Sequence, residues 1–255
     1  MPGETVSLAG RAALITGAGT GIGRAIANAL ADAGAFVGLH CHRSVEGANE
    51  TLNAIRSRGG NGVVLSADLV IADQATQLVD QFVVAAGRLD ILINNAGSPI
   101  ERQRIEDCSL ELWRQVLDVN LTSAFLVTQR AIPHLKASGN GAIVNNLSLS
   151  VQTGGANGAG PYAVAKGGLQ VLTRTLAREL APNVRVNAIM PGVIETPHHE
   201  VFTTPERMEQ YRRETPLGRN GNADEVASTV LFLVSDAARF VTGALLDING
   251  GRFLR

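Results

Sequence analysis

Short apolar runs alternate with longer amphipathic segments along the whole chain. The runs at 12–16 and 36–41 are bounded by polar or glycine-rich turns, which is typical of buried strands, whereas the apolar positions of 22–33 and 72–86 recur at helical spacing. Regular alternation of strands and helices predicts a parallel sheet with helices on both faces. The pattern therefore predicts an α/β fold, a doubly wound parallel sheet, in a single domain over residues 1–255.

The long apolar segment at 110–135 predicts a single helix, but Asn120 lies within it between Val119 and Leu121. A polar side chain in an apolar setting is costly unless it is hydrogen-bonded. The backbone or a water satisfies most such residues. The alternative is a local helical bulge at Asn120, which would hold a water that relays protons.

A glycine-rich turn, residues 17–23, joins the first predicted strand to the first predicted helix. Glycines let the backbone approach a pyrophosphate, whose charge is met by free N–H groups and by the positive end of the helix. The flanking strand and helix distinguish this turn from a chance match among the 28 glycines of the chain. The turn predicts a dinucleotide site with contacts at Gly17, Thr20, Gly21, Ile22 and Gly23.

The end of the second predicted strand indicates which dinucleotide binds. A carboxylate usually stands there and accepts a hydrogen bond from the ribose 2′-hydroxyl, but this chain has the donors His42, Arg43 and Ser44 instead. Such a cluster can hold a 2′-phosphate through charge-assisted hydrogen bonds, so NADP(H) is favoured over NAD(H). The alternative is that His42 and Arg43 are ordinary solvated loop residues.

Tyr162 and Lys166 lie four residues apart and therefore share one face of a helix. A cation within ~4–6 Å favours the phenolate, so we expect Lys166 to lower the pKa of Tyr162 and make it a general acid/base. Ser148 follows the apolar run 142–147 at the carboxyl end of a predicted strand and is a candidate substrate donor, with Ser150 as the alternative. The pair and the serine predict proton-transfer chemistry.

Two further segments border the predicted site. Asp68 ends a predicted strand, where it can accept a hydrogen bond from adenine or cap the following turn. Residues 195–216 are the most polar and least patterned part of the chain and predict a substrate lid, with a plain surface connection as the alternative. The adjacent His198 and His199 have no third ligand, so we assign them to the lid and predict no metal site.

The amino-acid composition limits the classes of partner that the protein can bind. With 255 residues, 45% hydrophobic residues and a net charge of −1, the chain carries none of the basic excess expected of nucleic-acid or anionic-membrane binders. It has two cysteines, and no apolar run reaches the ~18 residues of a membrane span. These features predict an unexported cytoplasmic protein that acts on small molecules.

Taken in order, the motifs resemble the short-chain dehydrogenase/reductase family, in its single-domain form, over essentially the whole chain. Residues 16–23 resemble its cofactor loop, and 94–97 match its sheet-stabilising turn. The family's catalytic tetrad is matched by Asn120, Ser148, Tyr162 and Lys166. The resemblance implies a Rossmann-type fold and an NADP(H)-dependent oxidoreductase that interconverts a carbonyl compound and a secondary alcohol by hydride transfer.

The resemblance also implies a role for each side chain of the tetrad. Tyr162 exchanges a proton with the substrate oxygen, and Ser148 holds that oxygen. Lys166 lowers the Tyr162 pKa and bonds the nicotinamide ribose, and Asn120 holds the water through which protons return from solvent. Further cofactor contacts are implied at Asp68, Leu69, Asn95, Ala96, Gly97, Tyr162, Lys166, Pro191, Gly192 and Thr196.

The chain departs from the family pattern in three places. Thr20 stands where many NADP-preferring members carry arginine, and Ser148 precedes Tyr162 by one residue more than usual. The β-ketoacyl-carrier-protein reductases are the nearest general resemblance. The stretches 137–140 and 181–183, where those enzymes present basic residues to an acidic carrier, contain no Lys or Arg here. We therefore expect a small free ketone, sugar or polyol as substrate.

Two other functions stay open at this point. One is an NAD(H)-linked sugar or polyol dehydrogenase that works in the oxidative direction, and the other is a catalytically idle module that binds a dinucleotide. The complete tetrad favours an enzyme, because an idle module has no physical need for a lysine beside the tyrosine. The resemblance also implies a homotetramer built on the helices around Asn120 and Tyr162 and on the C-terminal strand.

Overall fold

Residues 6–197 and 202–254 are described by a computed structural model, and within them seven parallel strands form one sheet. The strands are β1 (Ala12–Ile15), β2 (Phe36–Cys41), β3 (Asn61–Ser66), β4 (Ile91–Asn94), β5 (Gly141–Asn146), β6 (Val184–Pro191) and β7 (Leu245–Ile248). Their order is β3-β2-β1-β4-β5-β6-β7, and every neighbouring pair is parallel. The predicted doubly wound parallel sheet is confirmed.

Helices cover both faces of the sheet, as the alternating pattern predicted. They are α1 (Gly21–Asp32), α2 (Val45–Ser57), α3 (Ala72–Ala86), α4 (Leu110–Leu117), α5 (Ser123–Ala137), α6 (Ser150–Thr153), α7 (Gly160–Glu179), α8 (Pro205–Glu214) and α9 (Ala223–Val234). The apolar residues of α1, α2 and α9 form one core cluster with the sheet, and those of α3, α5 and α7 form the other. Within the described ranges, no helix has both the length and the apolar character that crossing a bilayer needs.

The strand order reverses between β1 and β4, which are neighbours although they are distant in the sequence. From β1 the chain adds strands on one side as far as β3, and from β4 it adds strands on the other side as far as β7. Because all strands are parallel, the loops that follow them leave from one edge. In such sheets ligands bind beyond the carboxyl ends of the strands at this switch point.

The segment at 110–135 is helical throughout, as its pattern predicted, but the helix changes its hydrogen-bond pattern within it. A π-helical turn, Asp118–Thr122, joins α4 to α5. Asn120 is 1% exposed, and its Nδ2 donates to the carbonyl oxygens of Val116 at 2.9 Å and Ser98 at 2.7 Å. A side chain that bonds a carbonyl of its own helix competes with the backbone ladder. The alternative of a bulge at Asn120 is therefore confirmed.

The segment predicted as a lid, 195–216, contains the regular helix α8 rather than unpatterned chain. Charged residues three and four positions apart form ion pairs along α8, which stabilises a helix that has no apolar face. The Arg252 guanidinium lies 4.5 Å from the ring centroid of Tyr211 and fastens α8 to the C-terminal segment. His198 and His199, which we assigned to the lid, lie outside the described residues.

Candidate active site

The glycine-rich turn after β1 is clamped against the turn after β4. Asn95 Nδ2 donates to the carbonyl oxygens of Thr16 at 2.9 Å and Gly17 at 3.0 Å. A Cβ atom on Gly23 would lie 2.1 Å from the Gly17 carbonyl oxygen and 2.5 Å from Asn95 Nδ2. Glycine at this position therefore lets α1 begin close to the turn. The predicted pyrophosphate site lies at the carboxyl edge of the sheet.

The residues of this turn fit a dinucleotide. Thr20 precedes α1 in an extended conformation and makes no side-chain bond to the helix amides, so the first-turn N–H groups keep their capacity to bind an anion. A Cβ atom on Gly21 would lie 3.4 Å from the Thr196 Cβ. The loop after β6, which we predicted to border the nicotinamide, therefore reaches the glycine turn predicted to bind the pyrophosphate.

The donor cluster after β2 packs on the glycine turn. A Cβ atom on Gly19 would lie 2.8 Å from both the Cβ and the carbonyl oxygen of Ser44. His42 Nε2 lies 3.8 Å from the Asp68 carboxylate, and Arg43 is exposed. Ser44 therefore packs on the glycine turn, and His42 and Arg43 directly precede it in the chain.

Asp68 and Leu69 follow β3 at the same edge. Asp68 Oδ1 accepts a hydrogen bond from the Val70 N–H at 3.2 Å, so the alternative role of Asp68 as a turn cap is confirmed. The Leu69 side chain is 7% exposed and belongs to the apolar core. A ligand at Leu69 can therefore contact the backbone much more readily than the side chain.

His40 is a site residue that we did not predict from the sequence. Its buried ring accepts a hydrogen bond from the Gly17 N–H at Nδ1, at 3.1 Å, and its Nε2 lies 3.1 Å from the Ala67 carbonyl oxygen. This pairing requires the neutral ring with the proton on Nε2. Burial is the main cause that lowers the pKa of His40 to about 4. The available signal was a histidine inside the apolar strand β2.

Four side chains from three elements meet beyond β4 and β5. Tyr162 and Lys166 lie on α7, with Lys166 Nζ 5.7 Å from the Tyr162 ring centroid. Ser148 follows β5, and Asn120 lies in the π turn. A Cβ atom on Gly97 would lie 2.6 Å from Asn120 Oδ1 and 2.9 Å from Lys166 Nζ. The structure therefore brings the predicted tetrad together next to Gly97, where a side chain would not fit.

Ser148, rather than Ser150, pairs with the phenol. A hydrogen bond with Ser148 lowers the pKa of Tyr162. Ser148 Oγ accepts from the Ser150 N–H at 3.1 Å, and its own O–H points to the phenol oxygen, since a hydrogen bond that lowers the pKa of Tyr162 is one that the phenol oxygen accepts. Ser150 Oγ is buried and has no hydrogen-bond partner among the described residues.

The pKa of Tyr162 beside Lys166 differs from the sequence-based expectation. Burial raises the pKa of Tyr162 to about 12, and the Ser148 hydrogen bond and the Arg102 charge oppose this rise. Burial also lowers the pKa of Lys166 to about 8. Desolvation disfavours both charged forms, and Lys166 is directed to the Asn146 carbonyl oxygen, at 2.8 Å. The expectation that Lys166 brings the Tyr162 pKa below its ordinary value is wrong for this structure.

Asn146, at the end of β5, is a second residue that we did not predict. Its Nδ2 donates to Asn95 Oδ1 at 2.9 Å, and its carbonyl oxygen accepts from Lys166. Because Asn95 also bonds Gly17, Asn146 connects the glycine turn to the lysine of the tetrad. The available signal was the pair Asn145-Asn146 at the end of an apolar run, since buried amides require partners.

The loop after β6 is held between the two neighbouring strands. The Pro191 carbonyl oxygen accepts from the Leu149 N–H at 2.9 Å, and the Gly192 N–H donates to the Ile248 carbonyl oxygen at 2.9 Å. These bonds fix the segment that we predicted to border the nicotinamide. Pro191, Gly192 and Thr196 therefore lie at the same carboxyl edge as the glycine turn.

Comparison with known proteins finds related sequences over nearly the whole chain. A family model described as enoyl-(acyl carrier protein) reductase matches residues 17–252. The 3-oxoacyl-(acyl-carrier-protein) reductase of Thermotoga maritima is 38% identical over 254 residues. The match covers 96% of this chain and 98% of that protein.

Solved structures of related proteins share the fold. A 7α-hydroxysteroid dehydrogenase in complex with NADH and 7-oxo glycochenodeoxycholic acid has a TM-score of 0.91 at 32% identity, covering 96% of this chain and 95% of that one. A protein from Beutenbergia cavernae with bound NADP at low occupancy has a TM-score of 0.90 at 38% identity, covering 96% and 98%. The chain is thus similar in sequence and fold to proteins that carry nicotinamide dinucleotides.

We expect His40→Asn to destabilise the protein at pH 7.5 by about 1–3 kcal/mol, because a buried backbone group loses its partner. The folded pKa of about 4 lies below the ordinary 6.5, so the contribution of neutral His40 is present above pH 6.5 and is lost as the pH falls towards 4. At pH 5 the difference from wild type should shrink by about 2 kcal/mol. Urea unfolding of the variant and the wild type at the two pH values, at one protein concentration, measures this difference in the free energy of unfolding.

His134→Asn is the matched control, because His134 lies partly exposed on α5. Its urea midpoint should follow that of the wild type at both pH values. If the free energy of unfolding differed between His40→Asn and wild type by the same amount at pH 7.5 and pH 5, the assignment of His40 as a neutral ring with two hydrogen bonds would be contradicted.

Proposed function

Since the chain belongs to the short-chain dehydrogenase/reductase family, we propose that it is an NADP(H)-dependent oxidoreductase with Tyr162 as its general acid/base. Family membership makes it an oxidoreductase of alcohol and ketone groups. The observation that carries the finer proposal is the hydrogen-bonded pair Ser148 and Tyr162 beside buried Lys166. We assign cofactor binding and catalysis to one domain, 1–255, with 195–216 as its substrate lid.

A nicotinamide dinucleotide, when bound, supplies the hydride for reduction or accepts it in oxidation. Ser148 holds the substrate oxygen by donating its O–H, since its Oγ already accepts from the Ser150 N–H. Tyr162 donates its proton to the same oxygen. With a pKa of about 12, the phenol is protonated at neutral pH and therefore carries the proton that it donates to a carbonyl.

Lys166 and Asn120 support the proton transfer from Tyr162 because hydrogen bonds hold them in place. Lys166 Nζ is fixed by the Asn146 carbonyl oxygen, and its remaining protons are available to the ribose hydroxyls of the cofactor. The Asn120 side chain bonds both the N–H and the carbonyl of Ser98 as well as Val116. A relay water at this point is therefore best held by the backbone of the π turn, which is displaced from the regular helical ladder.

The preference for NADP(H) rests on the donor turn. His42, Arg43 and Ser44 lie beside the glycine turn, and the chain has no acid at those three positions. A guanidinium beside a phosphate forms strong charge-assisted hydrogen bonds. One solved relative carries NADP and another NADH. Family membership therefore does not decide between NADP(H) and NAD(H), and the proposal depends on the residues that follow β2.

The substrate that we propose is a small carbonyl compound or alcohol, and we place the enzyme in the cytoplasm. The net charge of −1 gives no attraction to nucleic acid or to anionic membranes. Among the relatives, one is named for an acyl-carrier-protein thioester and another holds a 7-oxo bile acid. Because one fold serves such different substrates, the choice is made by residues around the mouth of the site.

Tyr162→Phe should lower kcat by about 10²- to 10⁴-fold, because the variant lacks the group that transfers the proton. Loss of NADPH absorbance against a panel of diketones, keto-sugars, oxo acids and β-ketoacyl thioesters measures the effect. NADPH should still bind, since the glycine turn and the donor turn are unchanged. Full turnover by Tyr162→Phe would rule out the mechanism, whereas tight NADPH binding by a wild type without turnover would favour an idle module.

The two serines give a matched control for the same assay. Ser148→Ala should lose most of its turnover, because the substrate oxygen loses its donor. Ser150→Ala should keep most of it, because the Ser150 hydroxyl bonds none of the described residues. The reverse result would exchange the roles that we give to Ser148 and Ser150.

Arg43→Ala should raise the Kd for NADPH by about 10- to 100-fold, as expected for the loss of a hydrogen bond to a charged group. The Kd for NADH should change little, because NADH has no 2′-phosphate. Arg58→Ala is the control, since the Arg58 guanidinium pairs with Asp32 rather than with the donor turn. Unchanged NADPH affinity in Arg43→Ala, measured by fluorescence titration, would favour an NAD(H)-linked dehydrogenase.

We propose that the enzyme is a homotetramer in which α5 and α7 pack against their copies. These helices expose the apolar side chains of Phe125, Val164 and Val171, which are 44%, 50% and 63% exposed. Patches of this kind mark protein interfaces. Sedimentation should give the mass of four 26.7-kDa chains, and Val171→Glu should give smaller species. A wild-type monomer at micromolar concentration would contradict the proposal.

A further inference from the structure

One cationic side chain at the mouth of the site has no part in the proton transfer described above. Arg102 lies in the loop after β4, and the N–H of the next residue, Gln103, donates to the Gly158 carbonyl oxygen at 3.0 Å. Arg102 Nη1 donates to the Ala156 carbonyl oxygen at 3.5 Å. Gly158 and Ala156 belong to the loop that leads into α7 and Tyr162. Arg102 is therefore held between the two loops that border the phenol.

The charge of Arg102 is not balanced within the described part of the chain. None of the ion pairs there includes Arg102. The neighbouring Glu101 is exposed and accepts from Gln103 Nε2 at 2.6 Å, and Glu106 pairs with Arg104 at 2.8 Å. Arg102 Nε is buried and has no hydrogen-bond partner there. A buried, unused donor on a cation is unfavourable until a ligand supplies an acceptor.

The position of Arg102 relates it to the reaction centre. Its charge acts on Tyr162 and lowers the pKa of the phenol, although burial has the larger, opposite effect. Arg102 and the adjacent Gln103 bond residues 156 and 158, which precede Tyr162 by six and four positions. An anion held by Arg102 would therefore lie beside the loop that leads to Tyr162.

The backbone on both sides of Arg102 has a defined shape. Ile100 has φ 60° and Asn157 has φ 50°, and a β-branched residue such as isoleucine rarely adopts this left-handed conformation. Such conformations persist where the surrounding contacts determine them. The Gln103–Gly158 hydrogen bond is one of those contacts. Arg102 is thus presented from an ordered pair of loops.

We propose that Arg102 binds a carboxylate on the substrate, so that the enzyme acts on an oxo acid and the corresponding hydroxy acid. This inference rests on the proposed oxidoreductase function and names its substrate class. A guanidinium matches a carboxylate in charge and in the spacing of its N–H groups. A phosphate ester carries nearly two charges at neutral pH, and the described residues of these two loops offer it no second unpaired cation. The small ketone, sugar or polyol expected from the sequence is thereby narrowed to compounds that carry a carboxylate.

The first test compares a substrate with its neutral counterpart. We would measure kcat/KM with NADPH for 4-oxocyclohexanecarboxylate and for its methyl ester, which differ in charge but share the ketone. The wild type should prefer the acid by about 10- to 100-fold, as expected for hydrogen bonds to a charged group. In Arg102→Gln this ratio should fall close to one, and Arg102→Lys should retain part of it. Equal values for acid and ester in the wild type would overturn the proposal.

Arg104→Gln is the matched control. Arg104 is two residues from Arg102 in the same loop, but its side chain is 78% exposed and pairs with Glu106. The ratio of acid to ester should therefore be the same in Arg104→Gln and in the wild type. If both arginine variants lowered the ratio equally, the preference would come from the general charge of the loop, and the specific role of Arg102 would be wrong.

A binding experiment separates this inference from the proposed function. Calorimetric titration of cyclohexanecarboxylate and of cyclohexanecarboxamide into the enzyme saturated with NADP⁺ or NAD⁺ requires no turnover. The carboxylate should bind at least about tenfold more tightly than the amide in the wild type and equally weakly in Arg102→Gln. Equal affinities in the wild type would overturn the Arg102 site, even if neutral ketones are reduced. Selective, Arg102-dependent binding without turnover of any ketone would support the site and contradict the redox function.

Discussion

A chain of partly and fully buried hydrogen bonds joins the cofactor side of this site to its reacting side. Asn95 bonds the Gly17 carbonyl oxygen, Asn146 bonds Asn95, and Lys166 bonds the Asn146 carbonyl oxygen. Each buried group left unpaired would cost about 1–3 kcal/mol, so the glycine turn and α7 cannot shift independently at low cost. The relative position of dinucleotide and general acid therefore depends on the carboxyl ends of β4 and β5.

The fold was predictable from the sequence because its signals are local. Apolar runs, glycine turns and helical periodicity give the elements, and the right-handed crossover rule leaves few ways to arrange them in a parallel sheet. The spacing of Tyr162 and Lys166 was also sufficient, since four residues within a helix fix a common face. The π turn at Asn120 could be expected for a different reason. A buried amide in an apolar helix must find a hydrogen-bond partner.

The parts that were not predicted depend on tertiary contacts. His40 gains its role from backbone groups of the loops after β1 and β3, and Asn146 from the Asn95 side chain after β4. No local pattern indicates such partners. The burial of the Leu69 side chain in the core was likewise not predicted, and it leaves the backbone for the expected cofactor contact. The predicted direction of the Tyr162 pKa shift was wrong. The pairing of Tyr162 with Lys166 can be inferred from their spacing in the sequence, whereas desolvation depends on every group packed around the ring.

Substrate binding and proton transfer are linked through Arg102. Its charge lowers the pKa of Tyr162, and a carboxylate bound to its guanidinium would cancel most of that field. The phenol would then hold its proton more strongly when the substrate is in place. The proton would leave only as negative charge develops on the substrate oxygen beside Ser148, which is the charge that an oriented donor stabilises. In the oxidative direction the same cancellation opposes formation of the phenolate. Because a catalyst lowers the barrier in both directions, this cancellation would move the pH range in which Tyr162 exchanges its proton and would leave the net direction to the concentrations of reactants and cofactor.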